Sequence, residues 1–294
     1  MKKLLLSVLF YVCGFLFLSA LEFPSDSTSV KSTFGQKLFK NIDGLEQNFE
    51  SGIRFENATI VQASDFGKNI LVMEKRNDMN GFPSALNNAM ILLHENGYQT
   101  VYGNLNDVQN IYNKDMFFKS EIIGGTALDE NENHIPLLFK VIDIRDKSKN
   151  FVNPLFFLPK LLDGVSPKIV RVLLQNADKK MTVLSPHITI ARGKYKLFVE
   201  TFDTINASDN KLAPFDVTTS INGNTVSLIS FQTLRTKNGN IETSEGLALS
   251  EIYRQGNLIY LCDFELSYGN AKLSVIVRDY YKNAAEQTFE ITAF

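Results

Sequence analysis

At 294 residues, with 44% hydrophobic and 21% charged residues, the chain has apolar content for two ordinary cores and is not of disordered composition. A formal charge of −2 and a pI near 6.0 exclude the clustered Lys/Arg surface that wrapping nucleic acid demands, so no nucleic-acid partner is expected. Glycine-rich phosphate loops, dinucleotide fingerprints and internal repeats are missing from the sequence, which leaves nucleotide chemistry without support.

The chain opens on Met1-Lys2-Lys3 and an apolar run from Leu4 to Leu21, the charged and hydrophobic regions of an export signal, with cleavage expected after Ala20. The rival reading is an uncleaved anchor tethering the body to the inner membrane. Either way the body is expected outside the cytoplasm, in the periplasm or elsewhere in the envelope. Cys13 lacks the flanks of a lipidation site, since Val12 precedes it and Gly14-Phe15-Leu16-Phe17 continues the apolar run. Removal of residues 1–20 leaves Cys262 without a partner for an intramolecular disulfide, and its strand-like setting favours a buried apolar thiol.

Residues 21–38, rich in Ser, Thr and Lys, read as a solvated leader, with packing expected to begin near Phe39. A first domain over 39–164 is expected from short apolar runs split by Asn, Gly and Asp: Ala58 to Ala63, Asn69 to Glu74, Ala89 to Leu93, Gln99 to Tyr102 and Leu137 to Ile144. Short helical candidates lie at Gly44 to Glu50 and Leu105 to Tyr112, the latter a turn capped by Asn106 or Asp107. The Pro-marked stretch from Asn153 to Pro167 then leads into a second domain over 165–294. Seven runs there, Lys168 to Gln175, Tyr195 to Phe202, Phe215 to Ile221, Thr225 to Phe231, Leu258 to Leu266, Lys272 to Asp279 and Glu286 to Thr292, predict an immunoglobulin-like β-sandwich. Asn222-Gly223 marks a tight hairpin, and the fold class expected for the whole chain is all-β.

Three stretches in order carry a resemblance. Leu92-Leu93-His94-Glu95-Asn96-Gly97-Tyr98 and Val101-Tyr102-Gly103-Asn104-Leu105 form a strand, turn and strand; Pro136-Leu137-Leu138-Phe139-Lys140-Val141 runs on to Val152-Asn153-Pro154-Leu155; and Glu50-Ser51-Gly52-Ile53-Arg54 precedes Ile60 to Gly67. Together, over about residues 45 to 160, they resemble the LytM or lysostaphin-type zinc endopeptidases that cut peptidoglycan cross-links, with their "HGNGY", "YAHL", "HLHFEV", "VNPL" and "HSGID" segments. The resemblance implies an antiparallel sheet domain and a zinc held by three side chains with an open position for water.

Carried over position by position, the zinc-binding pair becomes Glu50 and Arg54, the His-x-His pair becomes Pro136 and Leu138, and the remaining catalytic His becomes Asn104. Arg is permanently protonated, while Pro and Leu side chains have no lone pairs, so of the five positions only Glu50 carries a donor for zinc. The expectation is a pseudo-enzyme with no catalytic residues, no metal and no cofactor. His94, His134 and His187 do not share a spacing that rebuilds a site and read as a turn, a strand-edge and a loop residue. Asp129, Glu130 and Glu132 read as a solvated loop. Tyr98, Tyr102 and Asn104 are the residues expected to line the former cleft and bind a ligand. The function implied is a non-catalytic envelope protein that binds peptidoglycan, a wall hydrolase or another envelope protein and scaffolds or regulates wall remodelling. The alternatives are a residual metallo-endopeptidase and a structural member of an envelope assembly.

Overall fold

The computed structural model describes residues 21–38, 49–75, 85–205 and 208–294. The export segment with Ala20 and Cys13, and most of the helix expected from Gly44 to Glu50, lie outside these residues. Within them the chain is built almost wholly of strands joined in antiparallel pairs, as its runs of alternating and β-branched residues predict. Among the described residues no helix is long and apolar enough to cross a membrane.

The first half contributes β1 (Val30–Ser32), β2 (Ile53–Phe55), β3 (Ile60–Gln62), β4 (Gly67–Met73), β5 (Ala89–Leu93), β6 (Tyr98–Gly103), β7 (Met116–Phe117), β8 (Ile122–Gly125), β9 (Leu137–Asp143) and β10 (Asn150–Val152). The second half contributes β11 (Lys168–Gln175), β12 (Met181–Val183), β13 (His187–Ile190), β14 (Gly193–Phe202), β15 (Asp216–Ile221), β16 (Asn224–Ser230), β17 (Thr233–Lys237), β18 (Asn240–Thr243), the one-turn helix α1 (Leu249–Ile252), β19 (Ile259–Leu266), β20 (Gly269–Arg278) and β21 (Ala284–Ala293). The stretch expected as a capped turn holds a 3-10 turn at Gln109–Ile111, where the Gln109 N–H donates to Asp107 Oδ1 at 2.9 Å.

A large sheet runs β18-β17-β10-β9-β6-β5-β4-β7, with β2 also on β9 and β1 on β2. Two further sheets, β12-β11-β14-β19 and β13-β21-β20-β15-β16, face each other across a core that includes Val172, Leu197, Val199 and Leu261 from one and Val217, Val275, Val277 and Ile291 from the other. Within the second sheet β13 runs parallel to β21, while β20 is antiparallel to both its neighbours. Asn222 and Gly223 sit at φ 50° and 82°, the paired left-handed conformations that a two-residue hairpin between β15 and β16 requires.

One expectation is corrected by this architecture. Residues 21–38 are a packed segment, not a solvated leader: Leu21 and Val30 belong to the first core, Phe34 to the second, and β1 pairs with β2. Their Ser- and Thr-rich neighbours are used as hydrogen-bonding groups, for example Ser27 Oγ donating to the Glu56 carbonyl at 2.6 Å. The two halves also share a sheet across the expected boundary near residue 165. The β17–β18 hairpin leaves the second half and extends the first sheet, with Phe151 opposite Leu234 and Val152 opposite Thr233. Asn153 reinforces that seam, its Nδ2 donating to the Phe231 carbonyl at 3.0 Å and its N–H to the Gln232 carbonyl at 2.9 Å.

Candidate functional site

Strand β9 is central to the first sheet, and its side chains alternate between faces. Leu137, Phe139 and Val141 enter the first core; Leu138 and Lys140 are buried on the opposite face. Register then decides what meets Leu138: it lies opposite Arg54 on β2 and opposite Gly103 on β6. Asn104 follows Gly103 and Pro136 precedes β9, and the Asn104 Nδ2 donates to the Pro136 carbonyl at 2.8 Å. Four positions from three separate segments, Arg54, Asn104, and Pro136 with Leu138, are thus drawn to one place on the sheet. Glu50, the fifth, joins them through the Arg54 Nε, which donates to its Oε2 at 2.6 Å.

The chemistry at this junction is inward-looking. The Glu50 carboxylate also accepts from Ser32 Oγ at 3.3 Å, and both acid and guanidinium are buried. Lys140 lies nearby, its ammonium donating to Ser51 Oγ at 2.9 Å and resting 5.6 Å from the Phe151 ring centroid. Burial holds the Lys140 ammonium below its ordinary pKa; the field of Glu50 opposes that shift and the field of Arg54 adds to it. Gly52 permits this packing: a Cβ there would stand 2.3 Å from the Phe139 carbonyl oxygen. Asn104 is held at φ 65°, a left-handed conformation that asparagine tolerates. Its Oδ1 accepts from Asn87 Nδ2 at 2.7 Å and its own N–H donates to the Leu86 carbonyl at 2.8 Å.

The tyrosines expected beside Asn104 stand elsewhere. Tyr102 pairs with Phe139 and so faces the core, fully buried, with its hydroxyl accepting the Ser64 N–H at 2.8 Å. It is a core residue and not a ligand platform, because strand alternation turns it away from Gly103. Tyr98 lies at the far end of β6, about 15–20 Å along the strand from Asn104. Its ring is enclosed by Phe157 at 4.8 Å and the Arg145 guanidinium at 4.4 Å. Of the three, only Asn104 lies at the junction, and it is 1% exposed.

Comparison with known proteins gives the following. A family model matches residues 166–294. An uncharacterized protein of Treponema pallidum (strain Nichols) is 34% identical over 100 residues, which are 32% of this chain and 64% of that protein. The chain therefore spans less than two thirds of that curated relative. Among solved structures, an NMR structure of lysostaphin is similar at 16% identity and TM-score 0.37, over 83% of this chain and 91% of that one. The antimicrobial peptidase lysostaphin from Staphylococcus simulans is similar at 17% identity and TM-score 0.35, over 82% and 89%. The SpoIIQ–SpoIIIAH pore forming complex is similar at 17% identity and TM-score 0.35, over 49% and 93%.

The donor set at the junction does not fit a zinc ion. A catalytic zinc needs three convergent lone pairs and an open fourth position. Here Glu50 Oε2 is taken by Arg54 and Ser32, which leaves Glu50 Oε1 as a single unpartnered oxygen; Arg54 brings a fixed positive charge, Leu138 has no donor atom, and the Pro136 carbonyl is taken by Asn104. The histidines are engaged with other partners. His94 is buried, with Nδ1 2.8 Å from the Phe66 carbonyl and Nε2 2.8 Å from Thr100 Oγ1. The carbonyl can only accept, so Nδ1 carries the proton. His134 Nδ1 lies 2.8 Å from Thr126 Oγ1, and His187 is exposed at the start of β13. Asp129 folds its own loop, accepting the N–H groups of Asn131 and Asn133 at 2.8 and 2.9 Å, which holds its carboxyl below the usual range. Cys262 packs against the second core, and burial pushes its thiol up to about 11, too high for a reactive thiolate.

Lys140 went unread in the sequence although the signal was there: a lysine in the middle of the apolar strand Leu137 to Val141 must find polar company. A concave surface does exist elsewhere. A cleft of about 370 Å³ lies between the N-terminal segment and the sandwich, with Lys37, Lys168, Lys211, Glu200 and Tyr253 among its walls.

Proposed function

We propose that this protein is a non-catalytic relative of the LytM or lysostaphin-type peptidases, exported to the cell envelope, where it regulates or scaffolds wall remodelling through a protein partner. The observation that carries the reading is the convergence of Glu50, Arg54, Asn104, Pro136 and Leu138, positions picked out by the resemblance alone, on a junction closed by an internal ion pair and an amide–carbonyl bond. A former cleft filled in this way keeps its unpartnered atoms, Glu50 Oε1 and Arg54 Nη2, buried away from a wall peptide, and that favours recognition by another surface. The β13–β21 parallel pair, with β20 and β15 beyond it and β14 beside β19 in the facing sheet, supports an immunoglobulin-like reading of the second half.

The test is threefold. Purified protein incubated with cell wall and zinc should release no fragments; release abolished by a chelator would overturn the non-catalytic reading. Elemental analysis should find no stoichiometric zinc. Sedimentation with purified peptidoglycan should leave the protein in the supernatant, with crosslinking in cells capturing an envelope protein. Pelleting with the wall would move recognition to the polymer. Fractionation placing the chain in the cytoplasm would end the envelope assignment.

A further inference from the structure

Asp163 comes from the connector between the halves, Asp203 from the residue after β14, and Asp279 from the residue after β20. Far apart in sequence, they are brought together so that one carboxylate oxygen of each lies within 4.8 Å of the others. Asp203 is 6% exposed and Asp279 is 2% exposed. Asp163 and Asp203 line a partly open cavity of about 20 Å³ with Ile205, Tyr280 and Tyr281, space for one water molecule or one ion.

The hydrogen bonding at this cavity is incomplete in a specific way. Asp279 is held by Asn283, whose N–H and Nδ2 donate to its two oxygens at 2.8 and 2.6 Å. Asp163 Oδ1 accepts the Val165 N–H at 3.1 Å. Asp203 Oδ1 and Asp163 Oδ2, both buried, have no partner. The donors that hold Asp163 and Asp279 are neutral amides, and they leave the assembled negative charge uncompensated. Burial, together with the fields of Asp279 and Asp163, pushes the Asp203 carboxyl up to about 8. Three acids gathered in a low-dielectric cavity repel one another unless something positive sits between them.

We propose that Asp163, Asp203 and Asp279 form a calcium site that ties the connector to the end of the sandwich. Every donor is an oxygen, which selects a hard cation over zinc or copper. Magnesium demands near-ideal octahedral geometry, which three carboxylates fixed by separate segments do not supply, whereas calcium accepts direct and irregular oxygen coordination with water completing its shell. The two unpartnered oxygens are the first ligands, and Asp279, oriented by Asn283, is the third side chain. The site owes nothing to the Glu50 junction and stands whether or not that junction is inactive.

The chain contains no Trp, so Tyr280 and Tyr281 are the local antenna for a lanthanide probe. Terbium added to the full chain should give saturable tyrosine-sensitised luminescence that calcium displaces and equal magnesium does not. Thermal unfolding should shift upward by roughly 5 °C or more between chelator and 1 mM calcium. Asp203→Asn should fold in chelator and lose both responses, and Asp163→Asn, on the more accessible connector, should do the same if the first variant fails to fold. An unchanged melting temperature with no displaceable luminescence would overturn the proposal. So would responses that survive either substitution.

Discussion

Arg54→Met removes one member of the buried pair and leaves the other in place. Glu50 would keep Ser32 Oγ at 3.3 Å as its hydrogen-bond donor in place of the Arg54 Nε at 2.6 Å, inside a site where its side chain is 1% exposed. Breaking a buried pair costs about 3–5 kcal/mol, and the field of the neighbouring Lys140 on the remaining carboxylate sets this variant at the lower end of that range. For a chain of this size that corresponds to a fall in melting temperature of about 6–20 °C. The double variant Glu50→Leu/Arg54→Met replaces both charges by apolar groups. Lys140 then loses the favourable field of Glu50 and the unfavourable field of Arg54 together, so the net cost should shrink to about 1 kcal/mol or less. Urea unfolding followed by far-ultraviolet circular dichroism on the parent, both singles and the double measures the coupling directly. A single substitution costing under about 1 kcal/mol, or a double as unstable as the worse single, would refute the view that the pair is a closed, mutually dependent unit.

Gly52→Ala should lower stability by about 3 kcal/mol or more, since its Cβ would meet backbone, the Phe139 carbonyl oxygen at 2.3 Å; the urea midpoint reads this. The raised pKa of Asp203, about 8 against an ordinary 3.8, means that the folded state holds the extra proton between those values. In chelator this group's contribution is therefore full below about pH 4 and declines as pH rises toward 8, by a few kcal/mol, and Asp203→Asn should flatten the slope. A stability that rises across that window would show the sign to be wrong. Phe231→Ala, at a fully buried ring against which Gly35 packs, should cost about 3–5 kcal/mol. Calorimetry should show both halves still melting in one transition, because Phe231 lies beside the shared hairpin; a second, separate transition in the parent protein would contradict the continuous sheet.

Much of the strand pattern was legible because alternation and turn chemistry are local. Ala89 to Leu93 and Lys168 to Gln175 are strands with the bounds their residues predict, and Asn222-Gly223 turns as its composition requires. Asn238-Gly239, at φ 50° and 79°, carries the same local turn signal between β17 and β18. Val30 and Phe34 were lost among Ser, Thr and Lys because single apolar residues without period carry no pattern. Their burial depends on what comes to cover them, which lies far away in sequence. The junction was legible as a set of positions through motif resemblance, while the turning of Tyr102 into the core depended on strand register. Asp163, Asp203 and Asp279 had no spacing to betray them, since only the folded ends of three segments bring them together.

The hairpin of β17 and β18 gives synthesis an order. The β10 edge of the first sheet is made early, yet the strand that covers it, Thr233–Lys237, emerges only after six of the nine sandwich strands. Until then the Asn150–Val152 edge presents unpaired backbone groups, an open template for any passing extended segment. A nascent chain stalled between these two points would thus be the aggregation-prone species, and agents that guard exposed strand edges would act on it there and not on the finished protein.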